Sequence, residues 1–195
     1  MKPIRFLAPA LAGLLITPVV AVAMLVSPAS AQQRPAQGQA QTQAQRPAPA
    51  AGPASIGRFD DWEAATLNEG GQKVCYAFTR ATASSPAVQG RGEVVLVVTH
   101  RGRSRDEVAV RAGYTYPARA EPAGTVEAAA GNISLAFFTA ADAAFARDRA
   151  AAVAAFERGR ALRLVGPGPR GGGVTDLFSL RGFTAARRAI NEACK

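Results

Sequence analysis

The sequence predicts a mainly β domain: an antiparallel sandwich or barrel with one or two packed helices, including one at the C-terminus. Three observations predict it. Glu93 to His100 is a continuous β-branched run, Glu-Val-Val-Leu-Val-Val-Thr-His, as expected of a buried central strand. Short apolar runs recur throughout the domain, separated by turns such as Asn68-Glu69-Gly70-Gly71 and Gly131-Asn132. Near the end, Phe183, Ala186, Ile190 and Cys194 recur at helical spacing.

The elements follow in order. Ile56 to Asp61 leads into a first strand, Trp62 to Leu67, which forms a hairpin with Val74 to Arg80. The run Glu93 to His100 is joined through Arg101-Gly102-Arg103-Ser104-Arg105 to a strand from Glu107 to Tyr114. Its alternation points Val108, Val110, Ala112 and Tyr114 inward. Thr125 to Ala129 and Ile133 to Phe138 form another pair. The alanine-rich stretch from Ala141 to Gly159 reads as helix. Ala161 to Val165 and Val174 to Leu180 flank the glycine-rich stretch 166–173, and a final helix spans Thr184 to Ala193.

The first 31 residues have the layout of a secretory signal: Lys2 and Arg5, a charge-free stretch from Phe6 to Val26, and small residues before a cut after Ala31. A retained membrane anchor is the alternative, weakened by Pro9 and Pro18. Residues 32–55 hold seven Gln, seven Ala and four Pro with no bulky apolar side chain, so they read as a disordered tether. Residues 56–195 form the one domain. The expected location is periplasmic or secreted, with no transmembrane segment after cleavage.

The formal net charge is +9, but Lys2, Arg5, Arg34 and Arg46 precede the domain, which is left with +5. Such mild basicity suits an anionic glycan or lipid surface, or solubility alone, and gives no support for nucleic acid. Cys75 and Cys194 are the two cysteines, 119 residues apart, and an even pair in an oxidising compartment reads as a disulfide. Two free thiols are the alternative.

Chemistry has few carriers. His100 is the single histidine. With a carboxylate beside it in a cleft it would support an envelope hydrolase; otherwise it is a polar residue at a strand end. One histidine and two distant cysteines give no metal set, and no cofactor is expected. Asp60-Asp61 reads as a turn, since neighbours on a strand face opposite ways. The glycine-rich stretch lacks the Gly-Lys-Ser/Thr ending of a phosphate loop. Arg101, Arg103, Arg105 and Arg170 are the candidate anion contacts. Trp62, Tyr76, Phe78, Tyr114, Tyr116, Phe137 and Phe138 either line a small-ligand pocket or form core.

Three stretches together resemble a known family. They are Phe59-Asp60-Asp61-Trp62 at the opening, Gln72-Lys73-Val74-Cys75-Tyr76, and the closing run from Thr175 to Ala186 with its Phe-Ser-Leu-x-Gly-Phe-x-x-Ala pattern. They resemble the invasion-associated locus B family of bacterial envelope proteins. The chain departs from it at Ala64 and Ala65, where many relatives have a cysteine, and in having no cysteine within 118–150. The resemblance implies a β-rich, non-enzymatic exported protein that acts by binding an envelope or host partner.

Overall fold

A computed structural model describes residues 52–195. The stretches read as export signal and, nearly all of it, as tether lie outside the described residues. The strands are β1 (Ala54–Phe59), β2 (Trp62–Glu69), β3 (Gln72–Arg80), β4 (Ala83–Ser85), β5 (Val95–Arg101), β6 (Ser104–Arg111), β7 (Ala123–Ala128), β8 (Ile133–Ala140), β9 (Ala143–Ala146), β10 (Gly159–Pro167) and β11 (Gly173–Ser179). The helices are α1 (Arg149–Arg158) and α2 (Phe183–Ala193).

All strand pairs are antiparallel, in the order β1-β2-β3-β5-β6-β9-β8-β7-β10-β11-β4. Two features fold this ladder around a single core. Strand β8 changes partners midway: Ile133 to Ala136 pair with β7, and Phe137 to Ala140 pair with β9. At the other side, β4 follows β3 after only Ala81 and Thr82, yet pairs with β11. Thr82 N–H donates to the Leu177 carbonyl at 2.8 Å within that crossing. The ladder's two ends are thus tied by chain continuity, and its inner faces share one apolar cluster. The mainly β architecture with a C-terminal helix is as the sequence predicts.

Alternation places Leu96, Val98 and His100 of β5, and Val108 and Val110 of β6, in the interior. The alternation in β6 breaks at Gly113, whose φ is 72°. Ala112 is still buried, but Tyr114 lies beyond the strand and half-buried. Strand β1 begins at Ala54, two residues inside the stretch read as tether.

One expectation needs correction. Ala141 to Gly159 is not all helix. Ala143 to Ala146 form β9, paired with β6 and β8. The helix starts only after Asp148, whose side chain accepts from Ala151 N–H at 2.9 Å as an N-cap. Alanine favours helix, but the ladder bonds offered on both sides override a propensity worth a few tenths of a kcal/mol per residue.

Helix α2 buries Phe183, Ala186 and Ile190. The Phe183 ring packs between Trp62, centroids 5.0 Å apart, and Phe156 of α1 at 5.4 Å. Its N-cap, Gly182, has φ 91°, and a side-chain carbon there would lie 1.9 Å from the Phe59 carbonyl oxygen. Only glycine allows the helix to start against β1.

Candidate functional site

Cys75 and Cys194 are joined, with Cα atoms 6.0 Å apart, inside the 4.4–6.8 Å range of a disulfide. Cys75 is fully buried on the inner side of β3. Two further bonds hold the helix end: Lys73 Nζ donates to the Ala193 carbonyl and Arg105 Nη1 to the Cys194 carbonyl, both at 2.6 Å. The last turn of α2 is therefore fixed covalently and by cations on its terminal carbonyls.

His100 stands opposite Cys75 in the β3–β5 register. It lies near the end of β5 and is wholly buried. Its Nδ1 accepts from Asp106 N–H at 3.0 Å, while Nε2 has no hydrogen-bond partner. The Asp106 carboxylate lies 4.0 Å from Nε2 and is held from the other side by Arg187, at 2.9 and 2.8 Å. Arg187 also pairs with Glu157 at 2.9 Å. Burial, and after it the neighbouring Arg105 charge, push the imidazole below its ordinary range. The Arg187 hydrogen bonds hold the Asp106 carboxyl low. A general base must reach a substrate proton. His100 is fully buried, and the nearest Asp106 carboxylate oxygen, 4.0 Å away, is beyond hydrogen-bond distance.

The four candidate anion contacts are not one site. Arg101, Arg103 and Arg105 share the β5–β6 hairpin, whereas Arg170 lies in the β10–β11 loop near Pro86 and Val88. Arg101 is engaged with Glu69 at 2.8 Å, and Arg105 with the end of α2. Arg103 and Arg170 are exposed and make no ion pair among the described residues.

The aromatic set divides. Trp62, Phe137 and Tyr116 are core, and Trp62 Nε1 donates to the Ser179 carbonyl at 3.1 Å. Tyr114 is half-buried and donates to the Pro167 carbonyl at 3.2 Å. Tyr76, Phe78 and Phe138 face outward instead. Clefts of about 330 Å³ beside Phe78 and about 270 Å³ beside Phe138 lie on the outer surface. Neither touches Trp62 or Tyr114.

Those outward residues form a registered row that sequence reasoning missed. Phe78 on β3 pairs with Val97 on β5, Val97 with Ala109 on β6, Ala109 with Phe145 on β9, and Phe145 with Phe138 on β8. Tyr76 stacks on Phe78 at 5.9 Å and Phe145 on Phe138 at 5.6 Å. Phe138 is 42% exposed, the most open large apolar side chain of the described residues. Ion pairs flank the row along the strands: Arg80–Glu93 and Arg111–Asp142 at one end, Arg101–Glu69 and Arg149–Glu107 at the other. The available signal was the alternation of Tyr76 and Phe78 with Cys75 and Ala77, which sends the rings away from the core.

Fold and site together define a disulfide-stapled antiparallel β-domain, closed by a C-terminal helix and bearing an aromatic outer face. Residues 62–191 match the family model described as Invasion associated locus B (IalB) protein, and the chain belongs to that family. No curated protein and no solved structure matches it. Membership supports an envelope-associated protein. Among the described residues, no helix is long and apolar enough to cross a membrane.

Proposed function

We propose that this chain is a non-catalytic protein of the bacterial envelope, periplasmic or secreted, that acts by binding a protein partner. The observation that carries the reading is the outer-face row from Phe78 to Phe138. Contiguous apolar surface edged by polar residues marks a docking site, and aromatic residues with arginine are enriched where proteins meet. The signal layout of residues 1–31, the disulfide and the family support work in the envelope.

The test is affinity capture from the source envelope with the wild-type chain and with Val97→Glu, which puts a charge in the middle of the row. The wild type should retain a protein that the variant loses. Equal retention by both would sink this use of the face. A second reading, contact with an anionic glycan or lipid, is favoured by Arg103 and Arg170, which are exposed and unpaired among the described residues. Sedimentation with anionic vesicles, lost in an Arg103→Ala/Arg170→Ala double variant, would select it.

A further inference from the structure

We infer that the outer face of β3, β5, β6 and β9 is the contact between two copies of this chain, related by a two-fold axis running along the strands between β5 and β6. The inference rests on reading this face as protein-binding and adds what occupies it.

Charge is the first argument. Each domain carries +5, so two copies repel over most of their surface. At this face the four flanking arginines, Arg80, Arg101, Arg111 and Arg149, are matched by Glu93, Glu69, Asp142 and Glu107. The local balance is zero, so an anionic surface gains nothing here, whereas a second copy meets no net repulsion.

Register is the second argument. The axis superposes β3 on β9 and β5 on β6 of the partner. At one end of the face the ladder runs Arg80–Val95–Arg111–Ala143. The rotation sets Arg80 over Ala143 and the adjoining Asp142 of the partner subunit. It also sets Val95 over Arg111 of the partner subunit, with Glu93 two residues further along the same edge. In the apolar row, Phe78 meets Phe145 of the partner subunit and Val97 meets Ala109 of the partner subunit. Every contact then occurs twice, as a two-fold interface requires.

Shape is the third. A sheet wrapped around a core is convex across its strands, so the middle strands approach first. The small Val97 and Ala109 sit there, and the larger Phe78 and Phe145 stand on the flanking strands where the gap widens. Strands of nine, seven, eight and four residues present at most roughly 19 Å by 23 Å. That is a small footprint, and it predicts a dimer that dissociates in the micromolar range.

Sedimentation equilibrium of the exported chain tests this. The wild type should move from monomer to dimer with concentration, and Val97→Glu should stay monomeric. Arg80→Glu alone and Asp142→Arg alone should each weaken the dimer about tenfold, because each contact is made twice. The double variant Arg80→Glu/Asp142→Arg should return to within about threefold of the wild type. Within one chain the two positions lie three strand spacings apart, about 14 Å. That exceeds the screening length of about 8 Å at physiological salt, so rescue reports a contact between copies. A wild type that stays monomeric up to about 100 μM, or swaps that show no rescue, would overturn the inference. If the wild type is monomeric but Val97→Glu still loses envelope capture, the dimer alone fails. If capture is also unchanged, the reading of the face fails with it.

Discussion

The Arg91 guanidinium grips the Asp176 carboxylate through two bonds of 2.8 and 2.7 Å, with both side chains almost wholly out of water. Arg91 also donates to the Ala112 carbonyl and lies 4.9 Å from the Tyr114 ring centroid, while Ser84 donates to Asp176 at 2.7 Å. One satisfied buried pair therefore ties β4, β11 and the segment after β6. A buried pair adds little over an apolar replacement, but removing one partner strands a charge. Arg91→Ala should cost about 3–5 kcal/mol in urea unfolding. A double change, Arg91→Met/Asp176→Leu, should cost clearly less. Equal loss in both would show that the pair is not the closing element.

The disulfide closes a 119-residue span and anchors a terminal helix. Cys194→Ser should lower stability by roughly 2–5 kcal/mol. Reductant should destabilise the wild type and leave the Cys75→Ser/Cys194→Ser variant unchanged. The same response from both proteins would mean that the bridge contributes nothing to the native state.

His100 gives the fold a pH dependence of known sign. Its folded-state pKa lies below the ordinary value of about 6.5, so the unfolded chain binds the proton more readily. Stability is full above that value and falls as pH drops through it. Asp106 has a lowered pKa and contributes above the ordinary carboxylate value of about 4, so its loss comes at lower pH. As His100 is the only histidine, the slope between pH 7 and 5 belongs to it. The urea midpoint should fall over that range in the wild type and stay flat in His100→Gln. A wild-type midpoint that rises on acidification would refute the assignment.

Gly182 carries the start of α2 at φ 91°, with the Phe59 carbonyl in the space a side chain would fill. Gly182→Ala should destabilise by at least about 2 kcal/mol, through a forbidden contact and an unfavourable φ together. A melting temperature equal to that of the wild type would show that the helix can start elsewhere.

Much of this fold could be read from local pattern. The run Val94 to Thr99 is β-branched enough to be a strand in any setting, and Phe183, Ala186 and Ile190 mark an amphipathic helix. Cysteine count and compartment were enough to pair Cys75 with Cys194. The closing Phe-Ser-Leu-x-Gly-Phe pattern has local causes the structure makes plain: buried Phe178, Leu180 and Phe183, and a glycine at a positive φ.

What the sequence by itself determined is the periodicity of each segment, because side-chain alternation is a property of the backbone. It could not decide partners. Ala143 to Ala146 became a strand because β6 and β8 offered ladder bonds on both sides, a fact invisible within the segment. Three-residue β4 exists only because β11 lies beside it. Arg91 and Asp176 are 85 residues apart, and nothing near either shows that both will be buried together. Likewise Phe78, Val97, Ala109, Phe145 and Phe138 become one surface only when five strands align. Register between distant strands is set by the shared core, so the outer face it creates is decided by tertiary structure alone.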